Sequence, residues 1–316
     1  MKSIATRFVA VALFLIAQLH AQNPANPNQV ALLRWYAANQ AATFATCVNA
    51  PALAFDGSHM WVACTSSGEL MQLNASDGEV MRTVTGIVPP VLIAYDGVNI
   101  WSVSGTSGNV TRVVAATGRI ASSLTAASAT EGLAFDGQYM WISNGGIGNG
   151  TVSKYSATSG ALIATYSISS CSGPTTMAYD GAHVWVSCDT SGTVVELNST
   201  GSILATVTVG SNPGYMAFDG TNIWVSNVSS ASISRITVST LAVKTIAVGH
   251  GPQGIAYDTK YIWVANVNDN TVTKILASSG AVVGTFASQV PQPFQVAFDG
   301  GSIWVGSLGS FNVAKF

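Results

Sequence analysis

Charge is scarce in this sequence: 12 Lys and Arg, 14 Asp and Glu and 4 His are all that 316 residues carry. With so few cations, no basic stripe exists to follow a nucleic-acid backbone, and no polybasic cluster exists to hold an anionic membrane. Long apolar runs are missing too. The longest, Phe8 to Ala17, is about half of the roughly 20 residues that a membrane-crossing helix needs. Catalytic signatures are equally sparse. No Ser-His-Asp grouping can be placed by motif, and no two His stand at helical spacing for zinc. The run Gly145-Gly146-Ile147-Gly148-Asn149-Gly150 has the composition of a phosphate loop, but it joins two expected strands and lacks the helix N-terminus that would bind the anion. It reads as a flexible insertion.

What is present begins with an export signal. Lys2 and Arg7 precede the apolar run, and Leu19-His20-Ala21 precedes the polar Gln22-Asn23-Pro24, so residues 1–21 are expected to be a cleaved signal peptide. Cleavage would leave 10 basic against 14 acidic residues. The chain is therefore expected outside the cytoplasm, secreted or periplasmic, with no membrane insertion once the signal is gone. Serine, threonine, asparagine and glycine are abundant, yet 48% of residues are apolar and Trp recurs, which points to a packed core rather than to disorder.

One unit repeats seven times. Asp56, Asp96, Asp136, Asp180, Asp219, Asp258 and Asp299 are each followed, five places later, by a Trp: Trp61, Trp101, Trp141, Trp185, Trp224, Trp263 and Trp304. Successive copies stand about 40 residues apart, the length of one four-stranded propeller blade. Asp-Gly follows the first strand of six units and Asp258-Thr259 that of the other, which is hairpin chemistry. The sixth unit reads as strands over Gly254 to Tyr257, Tyr261 to Ala265, Thr271 to Leu276 and Ala281 to Ala287. The Trp row is expected in the core and the Asp row in the turns, since seven Asp spread around a ring cannot share a metal. The fold expected is all-β, a seven-bladed propeller over residues 40–316, with 22–39 as an N-terminal segment.

The last unit ends after three strands, and Gln40 to Cys47 resembles the fourth strand Val282 to Gln289. The N-terminal segment should therefore complete the last blade and close an edge that would otherwise invite aggregation. Cys47, Cys64, Cys171 and Cys188 fit the same frame. Cys47–Cys64 and Cys171–Cys188 are equally separated in sequence, each pair running from nine places before the repeat Asp to three after the repeat Trp. Those places lie on one end of a blade, so these two disulfides are expected, whereas other pairings would cross the ring beyond the ~7 Å Cα limit.

Three places after each Asp stand His59, Asn99, Tyr139, His183, Asn222, Tyr261 and Ser302, which suggests a duplicated three-blade block. His59 and His183 occupy equivalent turns too far apart to share an ion.

The pattern Phe218-Asp219-Gly220, Ile223-Trp224-Val225-Ser226-Asn227 and Val272-Thr273-Lys274-Ile275 resembles the bacterial YVTN-type propeller repeat and the related streptogramin B lyase (virginiamycin B lyase) repeat, over residues 40–316. The resemblance to the lyase implies metal-assisted elimination that linearises a cyclic depsipeptide, with His after the Pro that opens a blade. Here Ala52, Val91, Thr175, Gly214, Gln253 and Phe294 follow those Pro residues, and none is His. Gln253 cannot act as a general base, so the lyase residues do not carry over.

Residues that differ between blades are left to recognise a ligand. On the end bearing the loops into first strands and out of second strands, the candidates are Glu131, Asp189, Tyr215, His250, Gln253 and Phe294. Asn144, Asn227 and Asn266 share that end, but are expected to hydrogen-bond loop backbone. No cofactor or metal is expected. The leading expectation is a binding or interaction scaffold for a protein, glycan or small molecule. A metal-dependent lyase or lactonase-type hydrolase is the alternative, and a purely structural envelope or matrix protein is third.

Overall fold

The computed structural model describes residues 42–105, 107–126, 130–145 and 149–316. The expected signal peptide, the 22–39 segment and most of the glycine run lie outside them. Seven four-stranded antiparallel sheets follow one another along the chain. Blade one comprises Ala52–Phe55, His59–Cys64, Glu69–Asn74 and Val80–Val84. In blade six the strands are Pro252–Tyr257, Tyr261–Asn266, Thr271–Leu276 and Ala281–Ala287, close to the sequence expectation at every end.

Blade seven closes the ring as expected. Its chain supplies Pro293–Phe298, Ile303–Ser307 and Asn312–Lys315, and Ala42–Ala45 pairs antiparallel with the last of these, Phe44 opposite Val313. Among the described residues the strand ends at Ala45 rather than at Cys47, although the Thr46 N–H still bonds Phe311 O. Phe44 lies 5.3 Å from the Trp304 ring, so one aromatic contact fixes the depth of the closing strand. The two disulfides are those expected, with Cα separations of 5.6 Å for Cys47–Cys64 and 5.2 Å for Cys171–Cys188. The first ties the closing segment of blade seven to blade one, the second blade three to blade four. Two such bonds belong to an oxidising, extracytoplasmic environment.

All seven repeat Trp are buried, and the Asp does more than shape a turn. In every blade one carboxylate oxygen accepts the backbone N–H groups two and three places on. The other accepts the indole N–H of the Trp at 2.6–2.8 Å. A buried indole left without an acceptor would lose about 1–3 kcal/mol, which explains why the two residues recur as a pair. Burial alone would raise the Asp56 carboxyl, but hydrogen bonds from Trp61, His59 and Ser58 outweigh it and hold the group below its ordinary value. Asp299 is lowered by the same balance, aided by Lys315.

Opposite each Trp on the third strand stands one polar residue: Gln72, Arg112, Lys154, Glu196, Arg235, Lys274 or Lys315. The five cations lie over the indole rings at 4.5–5.7 Å. Gln72, Arg112, Lys154, Arg235 and Lys315 also donate to a carbonyl in a turn of the next blade, stitching neighbours together. These residues follow the three-blade alternation: His with Gln or Glu, Asn with Arg, Tyr with Lys. The duplicated block is thus a set of packed pairs, with Lys154 over Tyr139 and Lys274 over Tyr261.

Candidate functional site

The two ends of the ring are built differently. One carries the Asp turns and the turns between third and fourth strands. The other carries the loops between second and third strands and the connections between blades. At this second end a cavity of about 710 Å³ opens at the mouth of the central channel.

Its wall is made by β-bulges. In blades three to seven the register between first and second strands slips at the start of the first strand: between Thr130 and Gly132, Pro174 and Met177, Pro213 and Met216, Pro252 and Ile255, and Pro293 and Val296. The extra residue on one strand re-aims side chains, and it falls on Glu131, Thr175 and Thr176, Tyr215, Gln253 and Phe294, all of which line the cavity. Blades one and two pair without a slip. Pro is tolerated where the strand begins because it has no ladder N–H to lose. Small second-strand partners accommodate the bulges: Ser187 Oγ bonds Thr175 Oγ1 at 2.7 Å and Thr176 N at 3.0 Å, and Ser143 Oγ donates to Thr175 O. A Cβ on Gly132 would stand 2.1 Å from that carbonyl, so the close approach of blades three and four requires glycine.

Five of the six sequence candidates therefore meet in one place: Glu131, Asp189, Tyr215, Gln253 and Phe294. Tyr215 and Phe294, from blades five and seven, meet edge to face with centroids 5.6 Å apart and planes at 86°. Tyr215 also packs against the buried cluster formed by blades one to three, so its ring reaches beyond its own blade. Burial, with the Glu131 charge nearby, raises its hydroxyl well above the usual phenol range. Burial and the Asp189 charge raise Glu131. Thr175, Thr176 and Asn212 line the wall as well. Sequence reasoning missed the threonines because it weighed only the lyase's His at the place after Pro.

His250 does not line the cavity. Its side chain is 76% exposed and its ring lies 3.1 Å from Asp269, whose carboxylate is lowered chiefly by the His250 backbone N–H. The three asparagines are structural, as expected, but their partners are hydroxyls of the third strand rather than mainly backbone. Asn144 donates to Thr151 and Ser153, Asn227 to Ser232 and Ser234, and Asn266 to Thr271 and Thr273. Among the described residues, only Asn227 adds a loop N–H, that of Gly210.

Metal-ligating groups gather elsewhere. Asp180, His183 and Glu196 bring three donor atoms within 4.8 Å of one another, on the opposite end from the cavity. His183 Nδ1 is 2.8 Å from Glu196 Oε1, and Asp180 is already engaged by its turn and by Trp185. In blade one Gln72 replaces the glutamate, and His59 meets Asp56 alone at 3.3 Å. The sequence reading passed over Glu196 because it belongs to the next strand, and only the strand register brings it to His183. At the mouth, the described lining offers Glu131 and Asp189 with no His, so the residues do not fit the metal set that the lyase resemblance implies.

No family profile and no curated protein match the sequence. Solved structures do match the fold. A chain of hydrazine synthase from Kuenenia stuttgartiensis superposes with a TM-score of 0.76 at 16% identity, over 85% of this chain and 96% of that one. Streptogramin B lyase gives 0.74 at 14%, over 87% and 96%. A catalytically inactive histidine-to-alanine variant of virginiamycin B lyase from Staphylococcus aureus, with quinupristin, gives 0.73 at 15%, over 87% and 98%. At these identities the likeness is one of fold, and propellers host unrelated activities.

Proposed function

We propose that this chain is an exported binding propeller, secreted or periplasmic, that takes a small-molecule ligand at the channel mouth. The observation that carries the reading is the bulge-built cavity itself. Blades three to seven each turn a different side chain into it, while the same blades are near-copies at the opposite end. A largely preformed concave site with an aromatic wall and a few convergent polar groups is the usual form of a ligand pocket. The lyase alternative draws on the shared fold, but the mouth lacks the histidine that chemistry uses.

Two measurements on the purified protein test this. Fragment titration followed by NMR should move the signals of Tyr215 and Phe294, and incubation with a streptogramin B and divalent metal should give no ring opening. Metal-dependent turnover abolished by His250→Ala would overturn the binding reading in favour of the lyase. Binding of a glycan or protein at the blade edges, with the mouth unperturbed, would overturn the choice of site.

A further inference from the structure

Resting on the binding reading, the chemistry of the mouth narrows the ligand. We propose that the cavity takes an organic monocation, a protonated amine on an apolar arm, with the ammonium on the Glu131–Asp189 side and the arm against the Tyr215–Phe294 pair. Two carboxylates from adjacent blades face one cavity whose described lining contains no Lys, Arg or His. In a chain with only 14 acidic residues, seven of them spent on the repeat turns, two at one mouth form a pronounced local field. Among the described residues Glu131 has neither a hydrogen-bond nor an ion-pair partner. The Asp189 carboxylate accepts, among those residues, only the hydroxyl of its neighbour Thr190, at 2.8 Å. Both retain acceptor capacity that a primary ammonium, with three donors, can use.

The aromatic pair makes the ligand organic. Tyr215 and Phe294 lie at right angles, an arrangement that offers a π face to a cation or an aromatic arm. Gln253 stands on the blade between them and adds one amide. A bare divalent ion fits poorly, since no third carboxylate or His joins Glu131 and Asp189 among the described residues, and divalent ions are held by several such ligands. Anions are excluded by the same field.

The test uses 2-phenylethylammonium as probe, with the neutral 2-phenylethanol, the anion phenylacetate and Zn²⁺ alone as comparisons, titrated into the purified protein at pH 7. The ammonium is expected to bind most tightly and to shift Tyr215 and Phe294 signals, and its affinity should fall as salt screens the field. Glu131→Gln and Asp189→Asn should each weaken it about tenfold, and Phe294→Leu, which keeps an apolar wall, about threefold. The neutral alcohol should not respond to the carboxylate variants, and phenylacetate should bind them no more weakly than it binds the wild type. Unchanged circular dichroism and a cooperative melt confirm that each variant is folded. Equal binding of the alcohol or phenylacetate, or tighter binding of Zn²⁺, with the carboxylate variants silent, overturns the monocation assignment and leaves the mouth as a binding site. No perturbation of Tyr215 or Phe294 by any probe overturns both.

Discussion

The two ends of this ring divide the work between fold and function. At the turn end, seven Asp–Trp pairs repeat one hydrogen-bond pattern, and the residues that vary do so in step with a packed partner: His with Gln72 or Glu196, Asn with Arg112 or Arg235, Tyr with Lys154 or Lys274. At the loop end, the bulge residues of blades three to seven are Glu, Thr, Tyr, Gln and Phe, with no such pairing. Variation that is compensated locally serves stability. Variation that converges on a shared cavity is free to serve recognition.

The largest effect expected from breaking this contrast is at the turn end. Trp224→Ala should destabilise the protein by about 3–5 kcal/mol, the cost of emptying a large aromatic site, read from the denaturant midpoint. Gln253→Ala at the mouth should stay within about 0.5 kcal/mol. A Trp224→Ala loss below about 1 kcal/mol, far under the usual cost of such a cavity, would erase the distinction between the ends.

The disulfides sharpen it next. Each closes a short loop and is worth about 3 kcal/mol in the chain-entropy picture. Only Cys47–Cys64 holds the closing segment, whereas Cys171–Cys188 joins blades already connected by chain. Replacing Cys47 and Cys64 by serine should therefore speed hydrogen exchange in residues 42–45 and 312–315, and replacing Cys171 and Cys188 should leave those strands protected. Equal acceleration in both variants would show that the seam is no weaker than any other blade junction.

A smaller effect lies within the turn end itself. Six blades place glycine after the Asp at φ of 92–97°, whereas blade six places Thr259 at 78°, a region costly for a β-branched residue. Thr259→Gly should raise stability by about 1 kcal/mol, strain relief outweighing the added chain entropy. A lower melting temperature would show that Thr259 is held there by contacts worth more than its strain.

Acid should act on the two ends with opposite sign. Asp56 and Asp299 titrate below their ordinary value of 3.8 in the folded protein, so the stability they contribute is present above that value and is lost as pH falls through their lowered pKa. Glu131 titrates above its ordinary 4.5, so its contribution declines as pH rises from there through the raised value, and acidification relieves it. Relative to wild type, Asp56→Asn should cost most at neutral pH and least in strong acid, whereas Glu131→Gln should gain stability as pH rises past that window. Ammonium binding should weaken as Glu131 takes up its proton, with Asp189 and Tyr215 the other titratable groups lining the cavity. A pH-independent stability difference for either variant would contradict the environment described for that carboxyl.

Most of the fold could be read in the sequence because a propeller writes it seven times. The Asp and Trp places, the closing Thr43-Phe44-Ala45 and the disulfide pairing all follow from comparing copies. What copies could not reveal is how one carboxylate serves both its turn and an indole, because both partners were known but not their distance. Candidates such as Tyr215 and Phe294 stood out as deviations from the repeat, and the bulges brought four of the six together, with Asp189 joining them from the loop after a second strand. His250 was also a deviation, yet its pairing with Asp269, on a separate loop, depends on a conformation that no periodicity encodes. The Asp180–His183–Glu196 group was hidden for a different reason: Glu196 lies on the neighbouring strand, and only the strand register brings it to His183.

The division of labour is tested most directly by titrating 2-phenylethylammonium into a protein carrying Glu131→Gln, Asp189→Asn, Gln253→Ala and Phe294→Ala together. The predicted result is a denaturation midpoint close to that of the wild type with no saturable binding. Wild-type binding by this variant, or a variant that no longer folds, would contradict the assignment of recognition to the mouth and of stability to the opposite end.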